Sequence, residues 1–291
     1  MKNLKIRIPA DVFHQAEKLY LKNYQTITKD TGKLFLFAAD HKLEHMNKDF
    51  YDKSLHPDVN DPENLFKIAQ KGGCGAFATQ LGLISKYGKD YNDINYIVKL
   101  NSKTNLFCAG DPTSRALWGV NNVMNFKIQS GLKVCGVGYT IYLGSKYESD
   151  MLTQAAQIVS EAHQFGLIAT LWIYPKGECI KDEYDPEIIA GAAGVGLCLG
   201  ADFVKVKAPK TIADLKIAVE AAGRTNLICS GGAKEDTKKY LQTLHDQIYL
   251  GGAMGTATGR NIFQNSTENA IAISQAIADI VYENKSANWT I

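Results

Sequence analysis

The sequence lacks the features that mark secreted, membrane-spanning and nucleic-acid-binding proteins. Its 291 residues begin without an apolar run of signal-peptide length. No stretch approaches the roughly 20 apolar residues that a membrane-spanning helix needs. The formal net charge is only +2, so no strong electrostatic field favours nucleic acid or an anionic membrane surface. We therefore expect a cytoplasmic protein that has no nucleic-acid or membrane partner.

The sequence also lacks the cysteine and glycine motifs that mark metal sites and dinucleotide-binding sites. The six cysteines stand singly, without a C-x-x-C pair and without histidines at the spacing of metal ligands. This pattern argues against disulfides and zinc sites, and it predicts reduced cysteines that serve as small core residues. No G-x-G-x-x-G follows the first predicted strand, so a dinucleotide-binding crevice has no support. The sequence predicts no metal and no cofactor.

What the chain does contain is a regular alternation of short apolar runs and helical segments. The predicted strands cover residues 33–39, 72–79, 96–100, 133–142, 167–174, 200–208, 226–230 and 247–250. Helical spacing is clearest at residues 9–31, 62–71, 148–165, 186–199 and 266–283. Eight such units without a long linker predict one parallel α/β domain closed as a (βα)8 TIM barrel, with a doubly wound open sheet as the alternative.

The predicted domain organisation is simple. Residues 1–32 form an N-terminal helical lead-in that covers one end of the domain, and residues 33–291 form the barrel. Because active sites of such barrels lie at the carboxyl ends of the strands, we expect functional side chains in the segments that follow each apolar run.

The predicted sixth strand, residues 200–208, carries two lysines on one face. Strand alternation places Phe203, Lys205 and Lys207 on the same side. Burial and a neighbouring cation both lower the pKa of a lysine, and a neutral amine attacks carbonyl groups. Lys205 is the deeper residue and the predicted nucleophile, while Lys207 is predicted to keep its pKa low and to help hold an anionic substrate. The alternative is an exposed strand face with two solvated lysines.

Other strand ends supply an acid, a phenol and an indole. Trp172 and Tyr174 share one face of the fifth strand, and a phenol there can shuttle a proton. Asp40 follows the first strand, where it can bind substrate hydroxyls or assist a proton transfer. A single aspartate at a strand end is also a common helix cap, and that interpretation remains open for Asp40.

Two glycine-rich segments follow the predicted strands seven and eight. They read Ser-Gly-Gly-Ala-Lys at residues 230–234 and Gly-Gly-Ala-Met-Gly-Thr-Ala-Thr-Gly-Arg-Asn at residues 251–261. Glycines let backbone amides approach an anion closely, and a helix that begins near Arg260 adds its positive end and a guanidinium. Loops after strands seven and eight are the recurrent phosphate site of such barrels, although the same glycines are compatible with ordinary turns.

Six segments resemble, in order, the archaeal-type class I fructose-bisphosphate aldolases, which belong to a wider group that includes deoxyribose-phosphate aldolase. They are Ala-Asp-His-Lys-Leu-Glu-His at 39–45, Gly-Tyr-Thr-Ile-Tyr-Leu-Gly-Ser at 138–145, Trp-Ile-Tyr-Pro-Lys-Gly at 172–177, Gly-Ala-Asp-Phe-Val-Lys-Val-Lys at 200–207, Ser-Gly-Gly at 230–232 and Gly-Arg-Asn-Ile-Phe-Gln at 259–264. The similar region extends over residues 33–283.

This resemblance implies a metal-independent Schiff-base aldolase that reversibly cleaves fructose 1,6-bisphosphate to dihydroxyacetone phosphate and glyceraldehyde 3-phosphate in glycolysis and gluconeogenesis. It implies that Lys205 is the Schiff-base lysine and that Tyr174 is the general acid and base. Trp172 would pack on the substrate, and Asp40 would bind sugar hydroxyls. The implied phosphate-binding positions are Ser230, Gly231, Gly232, Gly259 and Arg260.

The chain departs from the family pattern at two places that handle the substrate. Residues 174–177 read Tyr-Pro-Lys-Gly where Tyr-Pro-Arg-Gly is common, and lysine cannot reproduce the bidentate grip of arginine on phosphate. Residues 40–42 read Asp-His-Lys where Asp-His-Gly or Asp-Gln-Gly is usual. Both changes loosen the choice of sugar phosphate, and Lys176 is the predicted ligand of the second phosphate.

Two other functions stay open. The first keeps the Schiff base and changes the reaction, as in relatives that resemble the heptulosonate synthases of aromatic biosynthesis or the thiolase that degrades a phosphorylated signalling molecule. The second is a sugar-phosphate-binding barrel without catalysis, whose mark would be loss of Lys205 or Tyr174, and both are present. The resemblance also implies a homo-oligomer, often a ring-based decamer, in which Trp289 of the C-terminal tail packs on a neighbour or folds back on its own barrel.

Overall fold

The computed structural model of the protein describes residues 6–106 and 110–287, and within them eight parallel strands close into a barrel in chain order. The strands are β1 (Leu34–Ala38), β2 (Ala76–Gln80), β3 (Tyr96–Lys99), β4 (Val134–Leu143), β5 (Ile168–Pro175), β6 (Phe203–Val206), β7 (Asn226–Ser230) and β8 (Gly255–Thr258). Strand β1 pairs with β2 on one side and with β8 on the other, which closes the sheet. The predicted (βα)8 barrel is confirmed.

Helices alternate with the strands, and the longer ones between β2 and the end of the chain pack on the outside of the barrel. The helices are α1 (Glu17–Thr28), α2 (His41–Glu44), α3 (Glu63–Lys71), α4 (Leu81–Tyr87), α5 (Val120–Ser130), α6 (Glu148–Gln164), α7 (Pro186–Cys198), α8 (Ile212–Ala222), α9 (Thr237–Tyr249), α10 (Arg260–Phe263) and α11 (Thr267–Glu283), with 3₁₀ turns at His14–Ala16 and Pro57–Asn60. Helix α7 shows why the sequence starts a helix there: the Asp185 side chain accepts from two backbone amides, and Pro186 occupies the first turn.

Strand alternation divides the apolar residues between two cores. Leu34 and Leu36 of β1 point into the barrel, where they join Trp172 and Phe203. Phe35 and its outward neighbours pack instead against the surrounding helices. The inward face of β6 therefore continues from Phe203 to Lys205, which is the face that the sequence predicted.

The prediction of the eighth strand at residues 247–250 is wrong. The apolar residues there are the last turn of α9, whose buried stripe consists of Tyr240, Leu241, Leu244 and Ile248. Strand β8 is the segment Gly255–Thr258, and its first residue is glycine because this position has a positive φ of 134° and lies directly against the backbone of Leu34. Gly259 and Arg260 still follow the carboxyl end of the strand.

The lead-in helix α1 closes the amino end of the barrel through a buried polar cluster. The Tyr20 hydroxyl donates to Asp202 at 2.5 Å. The imidazole of His163 lies between Asp202, at 3.2 Å from Nε2, and Asp11, at 2.9 Å from Nδ1. Asp202 also accepts from the backbone amide of Ala169 at 2.7 Å. Burial opposes protonation of His163, but the two carboxylates outweigh it and raise the pKa to about 9.

Two further predictions concern the surface and the chain ends. Over residues 6–106 and 110–287, we find no helix with the length and apolarity required to cross a membrane. Cys135 and Cys229 are buried as predicted, whereas Cys179 and Cys198 are exposed, so the expectation that all cysteines are core residues is wrong. Cys108 and Trp289 lie outside the described residues.

Candidate active site

A cavity of about 470 Å³ opens among the segments that follow the strands, at the carboxyl end of the barrel. Its lining contains every residue that the sequence singled out: Asp40, Trp172, Tyr174, Lys176, Lys205, Lys207, Ser230, Gly231, Gly232, Gly259 and Arg260. These residues come from strands as distant in the chain as β1 and β8, and barrel closure brings them together. A carbonyl compound that enters the cavity would meet an amine, a carboxylate, a phenol and a guanidinium.

Lys205 supplies the amine. Its side chain is buried, and its Nζ lies 5.4 Å from the ring centroid of Trp172, the residue opposite it on β5. Burial lowers the pKa of Lys205 to about 8, with Lys99 and Arg260 acting in the same direction and Asp40 opposing them. At pH 7 about a tenth of this amine is therefore uncharged and nucleophilic, far more than for a lysine with an ordinary pKa.

Lys99 is the residue that sequence reasoning missed in this cluster. It ends β3, is buried, and places its Nζ 3.8 Å from Asp40 while donating to the carbonyl and side-chain oxygens of Asn101. Burial is the largest single effect and opposes ionisation of Asp40, but Lys99, His41 and Lys205 together outweigh it and hold the pKa of Asp40 below its usual range. A lysine at the last position of a buried strand was the available signal.

Asp40 is not a helix cap, although it precedes α2. Its side chain makes no capping hydrogen bond to that helix. The carboxylate instead lines the cavity with Lys99 and Lys205 in electrostatic range. An ionised, partly desolvated carboxylate in this position can accept hydrogen bonds from substrate hydroxyls.

The predicted role of Lys207 in lowering the pKa of Lys205 is wrong. The cations that lower it are Lys99 and Arg260. Lys207 lies beyond the end of β6, where its Nζ forms an ion pair with Glu183 and sits 4.9 Å from the ring centroid of Tyr184. The alternation argument put the two amines on one face correctly, but it could not show that a carboxylate 24 residues away neutralises the outer one.

Tyr174 is a half-buried phenol beside a second phenol, Tyr142, to which the sequence assigned no role. Burial, Asp40 and Glu44 raise the pKa of Tyr174 well above its ordinary value. Tyr142 is its register neighbour on β4 and donates its hydroxyl to Glu44 at 2.9 Å. Burial and Glu44 likewise raise the pKa of Tyr142. Both phenols hold their protons at neutral pH, so Tyr174 rests as an acid.

The glycine loops form a tight rim on the other side of the cavity. Gly232 has a left-handed φ of 69°, and its carbonyl accepts from Nε of Arg260 at 3.2 Å. A Cβ on Gly259 would collide with the carbonyl of Ala38 and the imidazole of His41, so only glycine fits there. Backbone amides and a guanidinium at one rim suit a phosphate group. Helix α10 is a single turn, so the predicted helix end contributes less than expected.

Lys176 lies at the same cavity wall as the two phenols. Its Nζ is 5.6 Å from the ring centroid of Tyr142, and its charge is close enough to lower the pKa of Lys207 after the larger effect of burial. The cavity thus has cations on two sides of the buried amine: Arg260 with the glycine loops on one side, and Lys176 with Lys207 on the other. This distribution suits a substrate with an anionic group at one or both ends.

Known proteins are similar to this chain in sequence and in fold. Residues 34–265 match a family described as "DeoC/LacD family aldolase". The chain is 50% identical over 289 residues to "Fructose-bisphosphate aldolase/6-deoxy-5-ketofructose 1-phosphate synthase" of Methanocaldococcus jannaschii, covering 98% of this chain and 93% of the relative. It is 48% identical to the solved fructose-bisphosphate aldolase of Slackia heliotrinireducens, with a TM-score of 0.96 over 99% of this chain and 93% of that one.

A third similar protein bears on the lysine. It is an archaeal fructose-1,6-bisphosphate aldolase whose structure has the catalytic lysine covalently bound to the carbinolamine intermediate of the substrate. The identity is 33% and the TM-score 0.80, over 90% of this chain and 99% of that one. The catalytic lysine of a protein with a similar fold is thus known to form this kind of covalent intermediate.

Proposed function

The chain belongs to the DeoC/LacD family of aldolases, and from this premise we propose that it is a class I, Schiff-base aldolase that cleaves fructose 1,6-bisphosphate reversibly. The observation that carries the proposal is Lys205, whose buried amine has a pKa of about 8 at the wall of the cavity. A lysine with a purely structural role would be ion-paired or exposed to solvent. Lys205 is buried, and its pKa is lowered.

The covalent step begins when Lys205 Nζ attacks the C2 carbonyl and forms a carbinolamine. Tyr174 rests protonated, so it can donate its proton to the departing C2 hydroxyl, which leaves as water. The products are an iminium on Lys205 and a phenolate on Tyr174. The positive iminium stabilises that phenolate because the two charges are opposite and the site is poorly solvated.

The carbon–carbon bond breaks in the next step. The Tyr174 phenolate takes the proton of the 4-hydroxyl, the C4–O bond becomes a carbonyl, and the electron pair of the C3–C4 bond moves into the iminium to give an enamine. Glyceraldehyde 3-phosphate leaves. Tyr174 then returns its proton to C3, and hydrolysis of the iminium releases dihydroxyacetone phosphate and the free amine of Lys205.

The remaining residues position the substrate in this proposal. Asp40, held ionised by Lys99, accepts hydrogen bonds from sugar hydroxyls, and Trp172 packs against the carbon chain. The phosphate on C1, beside the reacting C2 carbonyl, is the near phosphate. It binds the rim formed by Ser230, Gly231, Gly232, Gly259 and Arg260. Lys176 and Lys207 bind the phosphate on C6, the far phosphate. In the structure Lys207 already forms an ion pair with Glu183.

Borohydride trapping tests the function directly. With dihydroxyacetone phosphate and borohydride, the reduced Schiff base should add a stable mass to the peptide that contains Lys205. Lys205→Ala should abolish the adduct, and Lys238→Met should keep it because Lys238 is an exposed residue of α9 outside the cavity. An adduct that persists in Lys205→Ala, or none in the unmodified protein, would overturn the assignment.

A second candidate is synthesis of a 6-deoxy-5-ketosugar monophosphate, the other activity in the name of the Methanocaldococcus relative. The charges at the far end of the cavity favour this activity, because Lys207 is already paired with Glu183 and Lys176 replaces the arginine common in the family. The product of that activity carries its phosphate at one end only. Parallel assays with fructose 1,6-bisphosphate, fructose 1-phosphate plus a small aldehyde, and the substrates of heptulosonate synthases and related thiolases separate these reactions.

We further propose the division into a lead-in over residues 1–32 and a barrel over residues 33–291, a cytoplasmic location and a homo-oligomeric state. Phe13, just ahead of α1, is exposed and is available for a contact between copies. Light scattering of the unmodified protein and of Phe13→Ser tests the last proposal. A monomeric mass for the unmodified protein would refute it.

A further inference from the structure

The segment between β5 and α7, residues 176–185, brings a carboxylate to the far end of the cavity. Glu183 and Tyr184 belong to the cavity lining together with Lys176 and Lys207. The segment is anchored at both ends: the Glu178 amide donates to Asp111 at 2.6 Å, and the Asp185 side chain caps α7. It is therefore a defined part of the wall.

Glu183 lies at the end of the cavity where Lys176 and Lys207 provide cations for an anionic group. Its carboxylate accepts from Nζ of Lys207, whose other side faces the ring of Tyr184. Lys176 is close enough to affect the pKa of Lys207, so two cations converge on this region. The Glu183 side chain is 42% exposed and that of Lys207 is 21% exposed, so the acid can leave the pair by rotating into solvent.

We propose that Glu183 is an internal substitute for the far phosphate and sets the selectivity of the enzyme between bisphosphate and monophosphate sugars. A substrate that carries a second phosphate must displace Glu183 from Lys207 before that phosphate can bind. A substrate without charge at this end leaves the pair intact. This inference rests on the proposed function, because it assigns the far end of the same site.

The effect should be confined to one end of the substrate. The charges that lower the pKa of Lys205 are Lys99 and Arg260, and Glu183 contacts neither. Arg260 and the glycine loops are held by bonds among themselves, such as that of Arg260 to Gly232. Removal of the Glu183 charge therefore changes binding of the far phosphate and leaves the covalent step and the near phosphate as they are.

Glu183→Gln, with Glu187→Gln as the matched control, tests this division. Glu187 loses the same charge four residues further along, on the exposed first turn of α7. For Glu183→Gln we expect the KM of fructose 1,6-bisphosphate to fall about threefold to fivefold, the upper part of the range for a half-exposed ion pair. The KM of fructose 1-phosphate and both kcat values should change less than about twofold. Glu187→Gln should change none of these.

Two results would overturn the proposal. One is an equal shift of KM for both sugars, which would make Glu183 a general structural residue. The other is a rise in the KM of the bisphosphate, which would mean that Glu183 holds Lys207 in its binding position.

A binding measurement separates this inference from the proposed function. Calorimetric titration with inorganic phosphate should show tighter binding for Glu183→Gln, and the gain should disappear in the double variant Glu183→Gln/Lys207→Met. Failure of the aldolase proposal appears instead as the lack of a borohydride adduct in the unmodified protein. If phosphate binds Glu183→Gln and the unmodified protein equally, the substitution role is refuted whatever reaction the enzyme catalyses.

Discussion

Two buried charged clusters lie at opposite ends of the barrel, and strand β6 connects them. At the amino end, Asp202 accepts hydrogen bonds from Tyr20, His163 and the backbone of β5. At the carboxyl end, Lys205 shares its surroundings with Lys99 and Asp40. The hydrogen bonds within the described residues include none from Lys205 Nζ, although only two residues separate Lys205 from Asp202, whose carboxylate accepts three.

Burial acts on the charges of the two clusters in opposite ways. At the amino end, carboxylates surround the imidazole of His163, and its pKa rises to about 9 despite burial. At the carboxyl end, burial is the largest effect on Lys205, the charges of Asp40 and Glu44 are offset by those of Lys99 and Arg260, and the pKa of Lys205 falls to about 8. The same low-polarity interior fixes a charge where opposite charges match it and suppresses a charge where they do not. The first arrangement stabilises the fold, and the second creates a nucleophile.

Removal of one central residue from each cluster should have the largest effects. His163→Ala leaves Asp202 buried without its main cation, so the free energy of unfolding should fall by about 3–5 kcal/mol while kcat of the folded protein is kept. Lys205→Met should lower kcat by at least about 10³-fold and leave stability equal or higher, because a buried cation is removed. Urea unfolding and fructose bisphosphate cleavage measure both quantities.

His14→Ala is the control for the first substitution, because His14 is exposed at the surface. It should change neither quantity. Loss of activity without loss of stability in His163→Ala would show that the amino-end cluster takes part in the chemistry and would end the distinction.

The pH response should separate the clusters in opposite directions. The neutral fraction of Lys205 grows as pH rises through about 8, so kcat/KM should increase about tenfold between pH 7 and 9. The folded pKa of His163 lies above its unfolded value, so its contribution to stability is complete below about 6.5 and is lost as pH rises through about 9.

The stability difference between the unmodified protein and His163→Ala isolates this contribution, because Lys205 titrates in both. We expect the difference to be largest near pH 6 and to shrink towards pH 10. A difference that stays constant with pH would contradict the charged state of His163.

Substitution of single lysines tests which cation lowers the pKa of Lys205 and should have a smaller effect. Lys99→Met removes a cation that lowers the pKa of Lys205 and frees the charge of Asp40, so the pKa of Lys205 should rise by about one unit. Lys207→Met should leave that pKa unchanged, because Glu183 neutralises Lys207. The pH dependence of the borohydride trapping rate measures the pKa in each variant. A larger shift of the Lys205 pKa in Lys207→Met than in Lys99→Met would instead support the prediction that Lys207 lowers the pKa of Lys205.

The fold and the chemically distinctive residues were predictable from local pattern. Seven of the strands lie where apolar runs of strand length occur, and only β8 was misplaced, because Gly255–Thr258 has small residues while the end of α9 is more apolar. Lys205 and Tyr174 stood out because an amine or phenol at the end of an apolar strand is unusual and because the surrounding motifs are specific.

Long-range pairings were not predictable in this way. Lys99 and Asp40 meet only when β1 and β3 join one barrel, and Tyr142 reaches Glu44 across 98 residues of sequence. The pairing of Lys207 with Glu183 depends on how a loop folds over the cavity. Strand periodicity fixes the face on which a side chain lies, but the charge that meets it there is set by the other strands and loops.

The hydrogen bonds of Asp202 also bear on how precisely the nucleophile is held. Asp202 ties α1, α6 and β5 together immediately before the strand that carries Lys205. Thermal displacement of β6 therefore requires that three other elements move with it, so opening of this strand should be rare on the timescale of turnover. The positional accuracy of the reactive amine at the mouth of the barrel thus originates at the opposite end, in residues that no substrate touches.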